Sequence, residues 1–288
     1  MSAPALLLVL IAAFTHATWN YAAKRSGGGL PFVWLTGMTT FCFYIPAVLI
    51  YWFWQQPVLP GLPLLLFVVS GLIKTAYALL LQRGYRLGEF SLIYPLARGT
   101  GPLLSTLAAI LIFGERPSPL AMTGGAMIVA SVFYLTGGPK LWHTDRAHLR
   151  QGMLYGLVCG CCIATYTVWD QRAVSHLHVP PVIYDCGTQV VLMSVLTPFA
   201  WPRRAEAWRT WREHRGKVIV VGLLGPLGYV LILTAMTFTP VSYIAPAREI
   251  SILIGTFFGA KLLKENDGPR RLLAATGMVA GIIALTLG

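Results

Sequence analysis

Apolar residues run on along this chain in long stretches separated by short polar ones. Each run is roughly 18 residues or more, long enough to cross about 30 Å of hydrocarbon as a helix. Backbone groups in lipid must be bonded within their own segment, so runs of this length predict helices and not barrel strands. The pattern predicts ten spans, over residues 3–23, 31–53, 61–82, 90–113, 119–136, 151–171, 181–200, 218–236, 242–262 and 271–287. Connections between them are short, so neighbouring helices are expected to be antiparallel, with nothing left for a soluble domain. The first run lacks a positively charged lead-in and is too long for the core of a cleavable leader, so it is expected to belong to the mature protein.

Composition agrees with this pattern. Of 288 residues, 56% are hydrophobic and 11% charged, against about 45–50% and about 25% in soluble domains. The polar side chains are too few to cover a surface in water. A net charge of +12 would suit nucleic acid, but the cations sit between the apolar runs, which is the bias of membrane loops. Loops after spans 1, 3, 5, 7 and 9 carry seventeen Lys and Arg, and the opposite side carries only Arg116 and Arg172. The crowded side is therefore expected to be cytoplasmic, both termini to face outward, and the membrane to be the inner (plasma) membrane. Residues 201–217 set Trp201, Trp208 and Trp211 among arginines, which predicts an interfacial helix at the headgroups. The five cysteines lie in apolar runs without zinc-finger spacing to histidine and read as ordinary buried thiols.

The two halves of the chain resemble each other. Ser91, Pro95 and Arg98 in span 4 are echoed by Ser242, Pro246 and Arg248 in span 9, and each arginine is followed seventeen positions later by a glutamate, Glu115 or Glu265. Gly124-Gly125 in one half corresponds to Gly277 and Gly281 in the other, and Ala17-Thr18-Trp19 to Ala164-Thr165-Tyr166. A unit of five spans is odd, so its second copy must be inverted in the membrane, an architecture shared by many secondary transporters. The expected fold class is thus an all-α membrane protein of ten transmembrane helices in two inverted five-helix repeats, residues 1–138 and 151–288, joined by a linker, 139–150.

Ser91-x-x-x-Pro95 with Glu115, Ser242-x-x-x-Pro246 with Glu265, and Ala17-Thr18-Trp19-Asn20 leading to Lys24 resemble the drug/metabolite transporter superfamily, in its EamA-like branch. The resemblance covers nearly the whole chain. It implies a ten-helix fold, a central cavity lined mainly by spans 1, 3, 4, 6, 8 and 9, and carriage of small metabolites by alternating access. Many relatives keep both termini in the cytoplasm, whereas loop charge here argues for the reverse.

Ionisable groups inside spans are costly and mark functional candidates. Lys74, Arg98, Arg248 and Glu249 are such groups, with Arg98 approaching the cavity from the cytoplasmic side and Arg248 from the outer side. Arginine can grip a carboxylate or phosphate with two parallel hydrogen bonds, and lysine supplies a point charge; a structural ion pair is the competing use. Tyr77 and Tyr94 neighbour these cations in sequence, and aromatics beside polar groups suit a small-ligand pocket as well as they suit packing. His16, Trp19 and Asn20 share span 1, where His16 could relay a proton or simply hold a carbonyl. Asp170 and Asp185 fall near span ends and read as solvated or capping residues. The stripe of Gly152, Gly156 and Gly160 reads as close helix packing, with dimerisation as the alternative.

No phosphate-cradling loop with lysine, zinc-protease helix or Ser/His/Asp set is present in the sequence. The expectation is a secondary carrier of a small organic metabolite, anionic or zwitterionic, working without a cofactor. Its partners would be the small-molecule substrate and the lipid bilayer, not nucleic acid, and it would act as a monomer or homodimer. The rival readings are a flippase for an anionic lipid-linked intermediate and a membrane-embedded enzyme.

Overall fold

The computed structural model describes residues 1–24, 26, 29–57, 63–87, 90–136, 146–252, 254 and 268–288. The described residues are almost wholly helical: α1 (Ala3–Lys24), α2 (Leu30–Gln55), α3 (Pro63–Leu87), α4 (Phe90–Phe113), α5 (Pro119–Thr136), α6 (Arg146–Gln171), α7 (Pro181–Ala200), α8 (Arg204–Met236), α9 (Val241–Ala247) and α10 (Gly268–Leu287). Prolines stand at the start of α2 and α7, where a missing N–H costs nothing. Among the described residues, four helical stretches are long and apolar enough to cross a membrane: Ala3–Ala23, Leu30–Gln55, Leu64–Leu81 and Pro181–Met236, the last holding both α7 and α8. Shorter apolar helices run over Thr100–Phe113, Pro119–Tyr134 and Leu273–Leu287.

Side-chain size is sorted in the sense opposite to a soluble protein. On α1 the buried face is Ala5, Val9, Ala12 and Ala13, while Leu7, Leu10, Ile11 and Phe14 are exposed. Leu111, Ile112, Phe53 and Trp54 likewise project outward. An apolar girdle of this extent would aggregate in water and is at home in lipid. Inside, small residues let backbones approach, because lipid tails offer no hydrophobic gain for burying large ones. At the α5–α10 crossing backbone meets backbone: a Cβ on Gly124 would lie 2.5 Å from the Gly281 carbonyl oxygen, and one on Gly281 would lie 2.7 Å from that of Gly124. The glycines that correspond between the halves thus pack on one another. Gly160 does the same for α6 on α4, where a Cβ would lie 2.7 Å from Thr100.

Helix pairing crosses between the halves. α1 packs on α8 as α6 packs on α3, and α2 packs on α8 as α7 packs on α3. α2 with α7, α4 with α9 and α5 with α10 pair corresponding helices directly. Neither half is a self-contained bundle, so a site in the interior draws on both. The Met1 amino group donates to the Thr286 carbonyl at 3.1 Å, bringing both termini to one end of the bundle.

Three expectations change. Span 9, read as continuous from 242, stops at Ala247. Arg248 and Glu249 form a turn, and the helix resumes at Ile250. Pro246 lacks an N–H and its ring crowds the preceding turn, and the backbone tightens there, with Glu249 N–H donating to Pro246 O at 3.0 Å and Ile252 N–H to Glu249 O at 2.9 Å. Glu115, from the α4–α5 connection, accepts from the Val241 and Ser242 N–H groups at 3.0 Å each and so caps α9 with a negative charge. Second, the interfacial segment does not stand apart from span 8: it belongs to α8, which bends at His214 (φ −132°, ψ 19°). Third, the thiols are not all buried, since Cys42 and Cys161 are exposed.

Candidate functional site

Among the described residues, a concentrated group of interior charges is centred on Lys74 of α3. Its ammonium lies 3.1 Å from Asp170 Oδ2 and 3.7 Å from Asp185 Oδ1, and it donates to Thr188 Oγ1 at 3.1 Å. Asp170 is fully buried and Asp185 nearly so. Their reading as solvated or capping residues is overturned. The physical reason is local. Beyond Gln171 the chain continues through a wide π-helical turn, Arg172–His176, with Ala173, Val174 and Val179 buried. Asp170 therefore lies deeper than the end of the regular helix suggests. Such turns often accompany functional positions.

Hydroxyls complete the coordination. Asp170 Oδ1 accepts from Ser70 Oγ at 2.5 Å and from the Tyr184 hydroxyl at 2.6 Å, while its Oδ2 accepts from the Tyr229 hydroxyl as well as facing Lys74. All four lone-pair positions of Asp170 are used, which fixes the carboxylate in place. Asp185 is held more lightly, through Tyr44 on Oδ2 at 2.6 Å. Aromatic rings close the volume. The ammonium is 4.3 Å from the Tyr229 ring centroid, 5.7 Å from that of Tyr184 and 5.8 Å from that of Tyr166, within reach of cation–π attraction. Tyr77 stacks edge-on to Tyr166 at 6.1 Å, and Tyr166 to Tyr229 at 6.4 Å.

The centre joins both halves: Tyr44, Ser70 and Lys74 come from the first, and Asp170, Tyr184, Asp185, Thr188 and Tyr229 from the second. Tyr77 adjoins this group through the Tyr166 ring, which Lys74 also approaches. Arg248 and Glu249 are both buried at the break after α9, and Arg248 lies within electrostatic reach of the Tyr229 hydroxyl. His16, Trp19 and Asn20 form a separate group on α1. Trp19 Nε1 donates to His16 Nδ1 at 3.1 Å, and Asn20 Nδ2 to the His16 carbonyl at 2.8 Å. Thr15, beside His16, abuts Gly228, beside Tyr229, so α1 meets α8 next to residues of both groups. The side chains of Tyr94 and Arg98 lie outside the described residues.

Sequence reasoning missed Asp170, Asp185 and the hydroxyl donors. One signal could have found the acids: a lysine at mid-span needs a counter-charge, and these two are the nearest candidates in spans 6 and 7. Among the described residues, the interior cations Lys74 and Arg248 are accompanied by the acids Asp170, Asp185 and Glu249.

A bundle with an apolar girdle, two interleaved halves, a helix broken at charged residues and a buried ionic centre between the halves is a multi-pass membrane protein of the transporter class. The chain belongs to the EamA-like transporter family, whose model matches residues 3–137 and again residues 150–287. Members of this family are transporters and not enzymes. A solved crystal structure is similar over 100% of this chain and 98% of its own, with a TM-score of 0.76 at 19% identity, a likeness that bears on the fold. No curated protein matches the chain.

Proposed function

We propose that the protein is a secondary carrier of a small organic metabolite that works by alternating access, with its ligand bound between the halves beside the Lys74–Asp170–Asp185 centre. Ten spans in two inverted repeats, residues 1–138 and 151–288, would rock about this point, with the loops after spans 1, 3, 5, 7 and 9 in the cytoplasm. The observation that carries the reading is the ionic centre itself, buried and assembled from both halves. Ions are placed at that depth at a cost of several kcal/mol, and a bundle needing only stability does better with apolar packing there. Displacing α3 against α6 and α7, on which it packs, would separate Lys74 from Asp170 and Asp185. A zwitterion fits the centre better than a simple anion: its carboxylate can take Lys74 and its ammonium the carboxylate and tyrosine rings that Lys74 leaves. Arg248, Glu249 and the His16–Trp19–Asn20 group would contribute to the lining, as would Tyr94 and Arg98.

The test is a thermal-shift screen of the purified protein against amino acids, organic acids, phosphates and organic cations, followed by uptake of any hit into proteoliposomes. Stabilisation by a zwitterion, with gradient-driven or exchange uptake that Lys74→Gln abolishes, is expected. Uptake unaffected by Lys74→Gln refutes the site. Turnover of the hit without translocation refutes the carrier.

A further inference from the structure

The start of α8 carries a charged surface that the interior centre does not use. Between Trp201 and Lys217 stand six cations, Arg203, Arg204, Arg209, Arg212, Arg215 and Lys217, against Glu206 and Glu213. Their arrangement is specific. Arg204, Trp208 and Arg212 follow each other at four residues and so occupy one face of the helix ahead of the bend, with Trp201 in the 3-10 turn that leads into it. Trp201 and Trp208 are each 58% exposed. Ala207, on the other side, is buried against Trp34, Met193 and Ala200. The helix is therefore fixed to the bundle by its small side and presents its tryptophans and arginines outward. Arg204 lies over the Trp201 ring at 5.9 Å and Arg212 over the Trp208 ring at 5.5 Å. Arg203 is engaged with Glu206 at 2.8 Å. The bend at His214 lets this part of α8 leave the line of the spanning part.

We propose that this face is a binding surface for anionic phospholipid headgroups. Tryptophan prefers the headgroup level of a bilayer, where its ring is half in hydrocarbon and its N–H is wet. A guanidinium stacked on such a ring is held at the depth of the phosphates, which it can take with paired hydrogen bonds. Arg204 and Arg212, on that face and outside the Arg203–Glu206 pair, then meet a leaflet whose negative surface potential attracts them, with Arg209 and Arg215 close by. The zwitterionic headgroup of phosphatidylcholine offers no net charge and so no comparable gain. Beyond the bend the same helix carries Tyr229 to Asp170, so lipid held here acts on a helix that reaches the interior centre.

The experiment uses the full chain in nanodiscs and reads quenching of Trp208 by brominated lipid, taken as the difference between the wild type and Trp208→Phe. Brominated phosphatidylglycerol diluted in phosphatidylcholine is compared with brominated phosphatidylcholine at equal mole fraction. Several-fold stronger quenching by phosphatidylglycerol is expected. Raised salt should bring the two lipids to parity, because exposed charges are screened. The combined variant R204Q/R209Q/R212Q/R215Q should do so at low salt. Equal quenching by both lipids in the wild type at low salt overturns the proposal, as does a preference that salt leaves unchanged. If the combined variant does not fold, the salt series on the wild type decides alone.

Discussion

Cations meet aromatic rings in two regions of this molecule, and the rest of the surroundings differ. In the interior, Lys74 stands 4.3 Å over the Tyr229 ring with two carboxylates beside it, and Asp170 is bonded by three hydroxyls as well. At the start of α8, Arg212 stands 5.5 Å over the Trp208 ring and its neighbours are mostly exposed. The contrast follows from solvation. A charge taken from water must be answered locally and completely, whereas an exposed charge is answered by solvent or lipid headgroups. Dense coordination therefore marks where removing one group does most damage, and sparse coordination marks where it does least.

This contrast can be broken by substitution. Asp170→Ala should have the largest effect, since it takes from Lys74 its nearer carboxylate and strands the hydroxyls of Ser70, Tyr184 and Tyr229. Breaking a buried pair in this way costs about 3–5 kcal/mol. Denaturation of the purified variant in detergent measures it, and a loss below about 1 kcal/mol would mean that the centre is hydrated. Lys74→Met should abolish transport, and in the double variant Lys74→Met/Asp170→Asn the stability losses should be clearly less than additive, because each partner's charge is stranded only while the other remains. Strict additivity would separate the two residues.

Asp185→Asn tests the finer contrast between the two acids. Asp185 has one hydroxyl donor and a lysine at 3.7 Å, so the expected loss is smaller, about 1–3 kcal/mol. A loss equal to that of Asp170→Ala would show that the four bonds at Asp170 carry no extra weight. The smallest effect belongs to Arg203→Gln. Its pair with Glu206 is exposed on both sides, and such pairs contribute about 0–1 kcal/mol. A larger loss in the same denaturation experiment would require the segment to be part of the folded core.

The helices were legible from the chain because lipid imposes one rule along it: backbone groups must be bonded within the segment, so a long apolar run can only be a helix. Runs 90–113, 119–136 and 181–200 coincide with α4, α5 and α7. The pairing of the halves could also be read, from Ser91/Pro95 against Ser242/Pro246 and from glycines that turn out to pack on each other, Gly124 on Gly281. Pro246 was visible too, but not that the chain would turn at Arg248 and Glu249 just beyond it. The site was half legible. Lys74 stood out because a cation at mid-span is costly in any fold. Asp170 and Asp185 did not, because distance from a span end measures depth only if the helix stops there, and past Asp170 the chain continues as a buried π turn.

The sequence by itself determined that this is a helical membrane protein of repeated build with charges in its interior, since those properties depend on composition and order along one dimension. Which charges meet was decided only by the packing of α3 against α6 and α7. That contact brings residues a hundred positions apart within 3.1 Å, and no local pattern encodes it. Tertiary structure alone also gave Lys74 two carboxylates as partners, because a buried ion selects its partner by distance and geometry, not by proximity in the chain.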